Sequence, residues 1–86
     1  MDRSSLYGES TVYHTIQFAV DYTMDVELSA KQPMERRRVL KGSRRLVVLK
    51  PYVMGKNGGY LEVADLFFDD GTATRAVPFA CFSFVD

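Results

Sequence analysis

Across residues 12–28 every even position except His14 is apolar or aromatic: Val12, Ile16, Phe18, Val20, Tyr22, Met24, Val26 and Leu28. The odd positions are mostly polar: Thr15, Gln17, Asp21, Thr23, Asp25 and Glu27. A period of two marks a β-strand, because successive side chains point to opposite faces. Strands in small domains run to about 5–6 residues. The pattern therefore predicts a sharp bend or a break near residues 19–23, as the wall of a small barrel requires.

Further along, the pattern predicts a loop over residues 29–35, where Pro33 interrupts any ladder. Residues 34–41 fit a short helix opened by Pro33 and closed by Gly42, or an edge strand over 36–40. Irregular or edge structure is the better fit. Residues 44–53 (RRLVVLKPYV) predict a strand, and Pro51 sets it at an edge or ends it. GKNGG at 55–59 is a hairpin turn, since Asn-Gly supplies the positive φ such turns need. Residues 60–68 (YLEVADLFF) form the next strand, and DDGT at 69–72 is a second turn. Residues 72–77 return, Pro78 interrupts, and 79–85 (FACFSFV) close the chain as a last strand.

The expected fold is all-β, a small SH3-like or Sm-like barrel of five to six antiparallel strands. The 86 residues make one domain, with the polar first ten residues expected to be flexible. Residues 60–68 carry Leu61, Val63 and Phe67 on one face and Ala64, Leu66 and Phe68 on the other. Phe79 and Cys81 likewise oppose Phe82 and Phe84. Apolar residues on both faces call for a second cover, either the N-terminal segment or another copy of the chain, so a homo-oligomer is expected.

A single cysteine, Cys81, excludes an intramolecular disulfide and a Cys-rich zinc site. The polar start MDRSSLYGES carries no signal-peptide pattern, and no apolar run reaches the length of a membrane span. The expectation is a cytoplasmic protein without a membrane partner.

Catalytic chemistry has little to stand on. The only histidine, His14, sits on the apolar parity of its strand and reads as half-buried and hydrogen-bonded. Cys81 has no basic neighbour in sequence and reads as a structural thiol. Asp69 and Asp70 before Gly71 lack the spacing of a calcium loop, and GKNGG is too short to cradle a phosphate. No cofactor or metal is implied, and the chain reads as non-enzymatic.

Charge changes that picture. The formal net charge is zero, yet RRRVLKGSRRLVVLKP at 36–51 holds seven of the eleven basic side chains. Residues 31–56 carry nine basic groups against Glu35 alone, and the remainder carries Arg3 and Arg75 against ten acids. Arginine suits bidentate phosphate contacts and stacking on bases. One reading is a polyanion site for single-stranded RNA or DNA. Its contacts would be Arg36, Arg37, Arg38, Arg44, Arg45, Lys50 and Arg75, with Tyr52 and Tyr60 as stacking surfaces. A second is a small interaction module or inhibitor whose basic face docks an acidic protein. A third is a guarded edge, where Lys and Arg discourage strand-to-strand aggregation.

The basic strand running into a proline, Arg44-Arg45-Leu46-Val47-Val48-Leu49-Lys50-Pro51, resembles part of a WYL domain, an Sm-like barrel of bacterial regulators. Gly59-Tyr60-Leu61 stands where that family has Trp-Tyr-Leu. Thr74-Arg75-Ala76-Val77-Pro78-Phe79 is similar to its Arg-x-Phe-x-Leu strand. The resemblance implies a domain that senses or binds nucleic acid or nucleotides through Arg75 and the basic strand. The strand pattern, with Tyr60-Leu61-Glu62-Val63 and Thr74-Arg75, also looks like the small Sm-like inhibitors of the Rho transcription terminator.

Overall fold

The computed structural model describes residues 12–28 and 34–86. Residues 29–33 of the loop expected at 29–35, and the flexible lead expected at 1–10, lie outside the described residues. Seven strands are present: β1 (His14–Phe18), β2 (Tyr22–Glu27), β3 (Met34–Val39), β4 (Arg44–Lys56), β5 (Gly59–Phe68), β6 (Ala73–Pro78) and β7 (Phe82–Phe84). They form one antiparallel sheet in the order β3-β2-β6-β5-β4-β1-β7. The fold is all-β and barrel-like. Among the described residues no helix is long and apolar enough to cross a membrane.

The 12–28 pattern resolves into β1 and β2, broken at residues 19–21 as its length required. That break curls the sheet. In the sheet order β1 and β2 stand four strand spacings apart, about 19 Å if the sheet were flat. The chain from Phe18 to Tyr22 spans at most about 14 Å. The strands between them must therefore wrap. Parity survives the bend, so Ile16, Phe18, Met24 and Val26 all enter the core. Val47, Leu66 and Val77 complete it from β4, β5 and β6, all fully buried.

The strand count exceeds the expected five to six. The bent first strand counts twice, and residues 34–39 form a full edge strand, so Met34 and Glu35 belong to β3 and not to a loop. At the other end, Phe79–Cys81 make one 3₁₀ turn, and only Phe82–Phe84 pair as a strand. Pro51 does not end β4, which continues to Lys56. The pairing of β1 to β4 stops at Val47, so beyond that point β4 has only β5 beside it. Proline is tolerated where one side of a strand is open. The hairpin closes at Asn57 (φ 50°) and Gly58 (φ 79°), the left-handed pair that a type I′ turn needs.

The two-sided apolar pattern of β5 is partly covered from within the chain. Val63 is fully buried, and the Arg75 guanidinium lies 5.4 Å from the Phe67 ring centre. Phe84 remains 51% exposed.

Between β5 and β6 the register slips. Ala64 faces Val77 and Leu66 faces Thr74, so Arg75 and Ala76 together oppose Asp65 in a bulge. Ala76 takes φ 56° there. A left-handed L-residue costs roughly 1–2 kcal/mol, against roughly 0.5–1 kcal/mol for the added freedom of glycine. Ala76→Gly is therefore expected to raise stability by about 0.5–1 kcal/mol, while Ala76→Val lowers it. Urea unfolding midpoints of the three proteins check this order.

Candidate functional site

The arginines of β3 each meet an acid, on β2, on β3 itself or in a neighbouring turn. In the antiparallel register Arg36 lies opposite Asp25, Arg37 opposite Met24 and Arg38 opposite Thr23. Arg36 Nε reaches Asp25 Oδ1 at 3.4 Å, and Arg38 Nη2 reaches Asp21 Oδ2 at 3.2 Å. Arg37 contacts Glu35 at 3.3 Å and Asp70 at 3.5 Å. The segregation of charge along the chain thus becomes mixing in space. These three cations are matched, and β3 is a guarded edge strand.

Arg75 is committed even more fully. Its Nε and Nη2 donate to the two carboxylate oxygens of Glu27 at 2.9 and 3.2 Å, a bidentate fork, and Nη1 donates to Asp65 Oδ2 at 3.1 Å. Asp65 Oδ1 accepts from the Tyr52 hydroxyl at 2.8 Å and from the Ala76 N–H at 3.0 Å. One carboxylate therefore ties β4, β5 and β6 together and holds the Ala76 backbone in its left-handed form. The two carboxylates hold the Arg75 guanidinium charged, raising its pKa further. The Asp65 bond pushes the Tyr52 hydroxyl up.

Four other cations have no carboxylate within 4 Å among the described residues: Lys41, Arg44, Arg45 and Lys50. Lys41 belongs to the basic run but not to the contacts expected from the sequence; only the pairing pattern separates it from the β3 arginines. Its backbone N–H donates to Asp21 Oδ1 at 2.8 Å, which fixes the β3–β4 turn. Arg44 Nε donates to Gln17 Oε1 at 2.9 Å and Arg45 Nη1 to the Arg44 carbonyl at 2.7 Å. Lys50 faces Asp65 across the ladder, whose oxygens are taken by Arg75, Tyr52 and Ala76.

Directly opposed residues of an antiparallel pair share a side. Arg44 opposes Gln17, Leu46 opposes Thr15, Val48 opposes Phe67, and Lys50 opposes Asp65. Arg44, Lys50 and Tyr52 therefore share one side of β4, with Leu46 and Val48 between the two cations. Arg45 opposes Ile16 and lies on the other side. Tyr60 is 85% exposed but stands opposite Gly55, eleven residues from Arg44 and so up to about 36 Å away along the strand.

His14 is half-buried, with Nδ1 3.4 Å from Asp86 Oδ2 and its ring edge-on to Phe84 at 5.3 Å. Burial pushes the Cys81 thiol up. No protein-family model, curated protein or solved structure matches the chain.

The acids of these pairs titrate low. The Lys41 N–H and Arg38 hold Asp21 below the usual range, and Arg75 does the same for Glu27. The Thr72 hydroxyl and N–H, then Arg37, lower Asp70. At Asp65 partial burial pushes upward, but the Ala76 N–H, Tyr52 and Arg75 outweigh it. Each folded-state pKa lies below its unfolded value. The stability these groups contribute is complete above the ordinary carboxylate range of about 4 and is lost as pH falls through it and then through the lowered values. The thermal midpoint should stay level from neutral pH to about 5 and fall below about 4. Asp65→Asn should lower the midpoint at neutral pH and lessen the acid loss; scanning calorimetry across that range checks both.

Proposed function

We propose that the protein is a non-enzymatic module that binds nucleic acid through Lys41, Arg44, Arg45 and Lys50. The carrying observation is the division among its cations. Arg36, Arg37, Arg38 and Arg75 have their charge answered by carboxylates, whereas these four meet none within 4 Å among the described residues. A phosphate approaching an arginine already held by an acid must displace that acid, and gains little. A phosphate approaching Arg44 meets a guanidinium held, among the described residues, by the neutral Gln17 amide. The contact set is thus narrower than the sequence suggests, and Lys41 joins it. The likeness of residues 44–51 to the basic strand of WYL domains points the same way.

A second reading, a small protein-interaction module or inhibitor docking an acidic partner, draws on the far end of the β4–β5 hairpin. There Val53, Met54 and Tyr60 are exposed, beside a groove of about 430 Å³ lined by Pro51, Tyr52, Val53, Glu62 and Phe79. A protein interface keeps affinity through its apolar centre when salt screens its charges.

Fluorescence anisotropy with labelled single-stranded RNA and DNA tests the first reading. Binding should weaken with salt, with a log–log slope of about −2 to −3 if three to four phosphates are neutralised on a single strand. The triple variant Lys41→Glu, Arg44→Glu, Arg45→Glu should lose at least about tenfold in affinity at low salt. The double variant Arg36→Gln, Arg38→Gln should bind within a few-fold of the wild type. Absence of binding by the folded wild type at low salt would end the nucleic-acid reading.

A further inference from the structure

Arg44 differs from the arginines of β3 in what stands across the ladder from it. Among the described residues, two arginines bond the side chain directly opposite. Arg36 opposes Asp25 and reaches its carboxylate at 3.4 Å. Arg44 opposes Gln17 and donates from Nε to the amide oxygen Oε1 at 2.9 Å. Gln17 in turn opposes Ser83 on β7. The row Ser83, Gln17, Arg44 therefore crosses three strands on one side of the sheet without an acid. Glutamine and glutamate have the same reach. What keeps Arg44 unmatched is thus one functional group, an amide where Arg36 meets a carboxylate.

The same bond decides which atoms remain for a ligand. A guanidinium carries N–H donors on three nitrogens and no acceptor. Nε is engaged by Gln17, and among the described residues no protein oxygen takes Nη1 or Nη2 of Arg44. That leaves the end-on fork that suits two oxygens of one phosphate. The Gln17 amide has its oxygen engaged and keeps the Nε2 amino group, a pure donor. Toward an anion the pair therefore presents donors alone. It is also anchored. Beside it on β1, the Phe18 N–H donates to the Ser43 carbonyl at 2.9 Å and the Phe18 carbonyl accepts from the Gly42 N–H at 2.8 Å. These bonds tie the pair to the turn that carries Lys41. Gln17 is half-buried and Arg44 exposed, so a solvent-facing guanidinium is held by a more enclosed amide.

We infer that Gln17 is a second phosphate-binding side chain at Arg44: it holds the guanidinium without cancelling its charge and donates from Nε2 to the same phosphate. Gln17 lies 27 positions from Arg44 and outside the basic run, so a count of charges along the chain passes over it. This rests on the nucleic-acid reading above and adds to it a neutral contact residue and the reason why Arg44 stays free.

The test changes position 17 and follows Arg44. Anisotropy of a labelled oligothymidylate of about twelve nucleotides is measured with the full chain at low salt and across a salt series. Gln17→Glu should lower affinity about tenfold or more and flatten the log–log salt slope by about 0.7, the share of one phosphate on a single strand. Its thermal midpoint should not fall, since it gains an ion pair like that of Arg36. Gln17→Ala, which leaves Arg44 charged, should lose about two- to fivefold through the missing donor and keep the slope. In an Arg44→Gln background, Gln17→Glu should cost about twofold or less, because the contact it acts through is gone. Asn57→Asp makes the same change of charge at the far end of the β4–β5 hairpin and should bind within about twofold of the wild type. Wild-type affinity in Gln17→Glu or Gln17→Ala overturns the inference and leaves phosphate binding by the cations intact. So does a Gln17→Glu loss that is equal in both backgrounds or matched by Asn57→Asp. If the folded wild type binds nothing at low salt, the nucleic-acid reading falls and this one with it.

Discussion

The fold depends on a short tether. Ala19, Val20 and Asp21 must carry the chain from β1 to β2, two strands that the sheet order separates by four spacings. Because the tether is shorter than a flat sheet would allow, the sheet curls, and the inward residues of β1 and β2 meet those of β4, β5 and β6. The same corner is bolted from two directions. The Gly42 N–H donates to the Phe18 carbonyl and the Phe18 N–H to the Ser43 carbonyl, while the Ala19 N–H donates to the Cys81 carbonyl. Asp21 then accepts the Lys41 N–H. Curling the sheet and presenting the basic β3–β4 turn are consequences of one bend.

Charge follows from this geometry. A strand at a sheet edge exposes unpaired backbone groups, and charged side chains there discourage association with other edges. Met34–Val39 does this with three arginines, each set against an acid outside the strand: Asp25, Asp70 and Asp21. Exposed ion pairs of this kind contribute little individually to stability. Their larger effect is to remove positive field from one part of the surface and leave it at another. The dense basic run therefore divides into a matched edge and an unmatched turn and strand.

The long β4–β5 hairpin poses a separate problem, since much of it has no third strand on the β1 side. Asp65 supplies the brace. By accepting from Tyr52, Arg75 and Ala76 at once, it links the hairpin to the bulge of β6, and Glu27 holds the same arginine from β2. Arg75 thereby screens Phe67 on the outer side, which answers part of the apolar excess that suggested a second subunit. A residue that looks from its sequence context like a ligand contact is, in the folded chain, the centre of a cross-strand network.

Local rules were enough to determine much of this protein. Alternation within β1 and β2 determined that Ile16, Phe18, Met24 and Val26 enter the core, while Val12 and Val20 of the same parity stay exposed outside the strands; Asn57-Gly58 and Asp69-Asp70-Gly71 determined the hairpin turns, and the position of Pro78 determined where β6 gives way to the final turn. Each is a property of residues within a few positions of one another. The sequence also showed that basic residues crowd into 36–51. Which of them are free was decided only by tertiary structure, because the partners are distant along the chain: Asp21 and Asp25 for β3, and Glu27, forty-eight positions from Arg75. Period-two patterning says which side of its own strand a residue takes; only the register between strands says what it meets there.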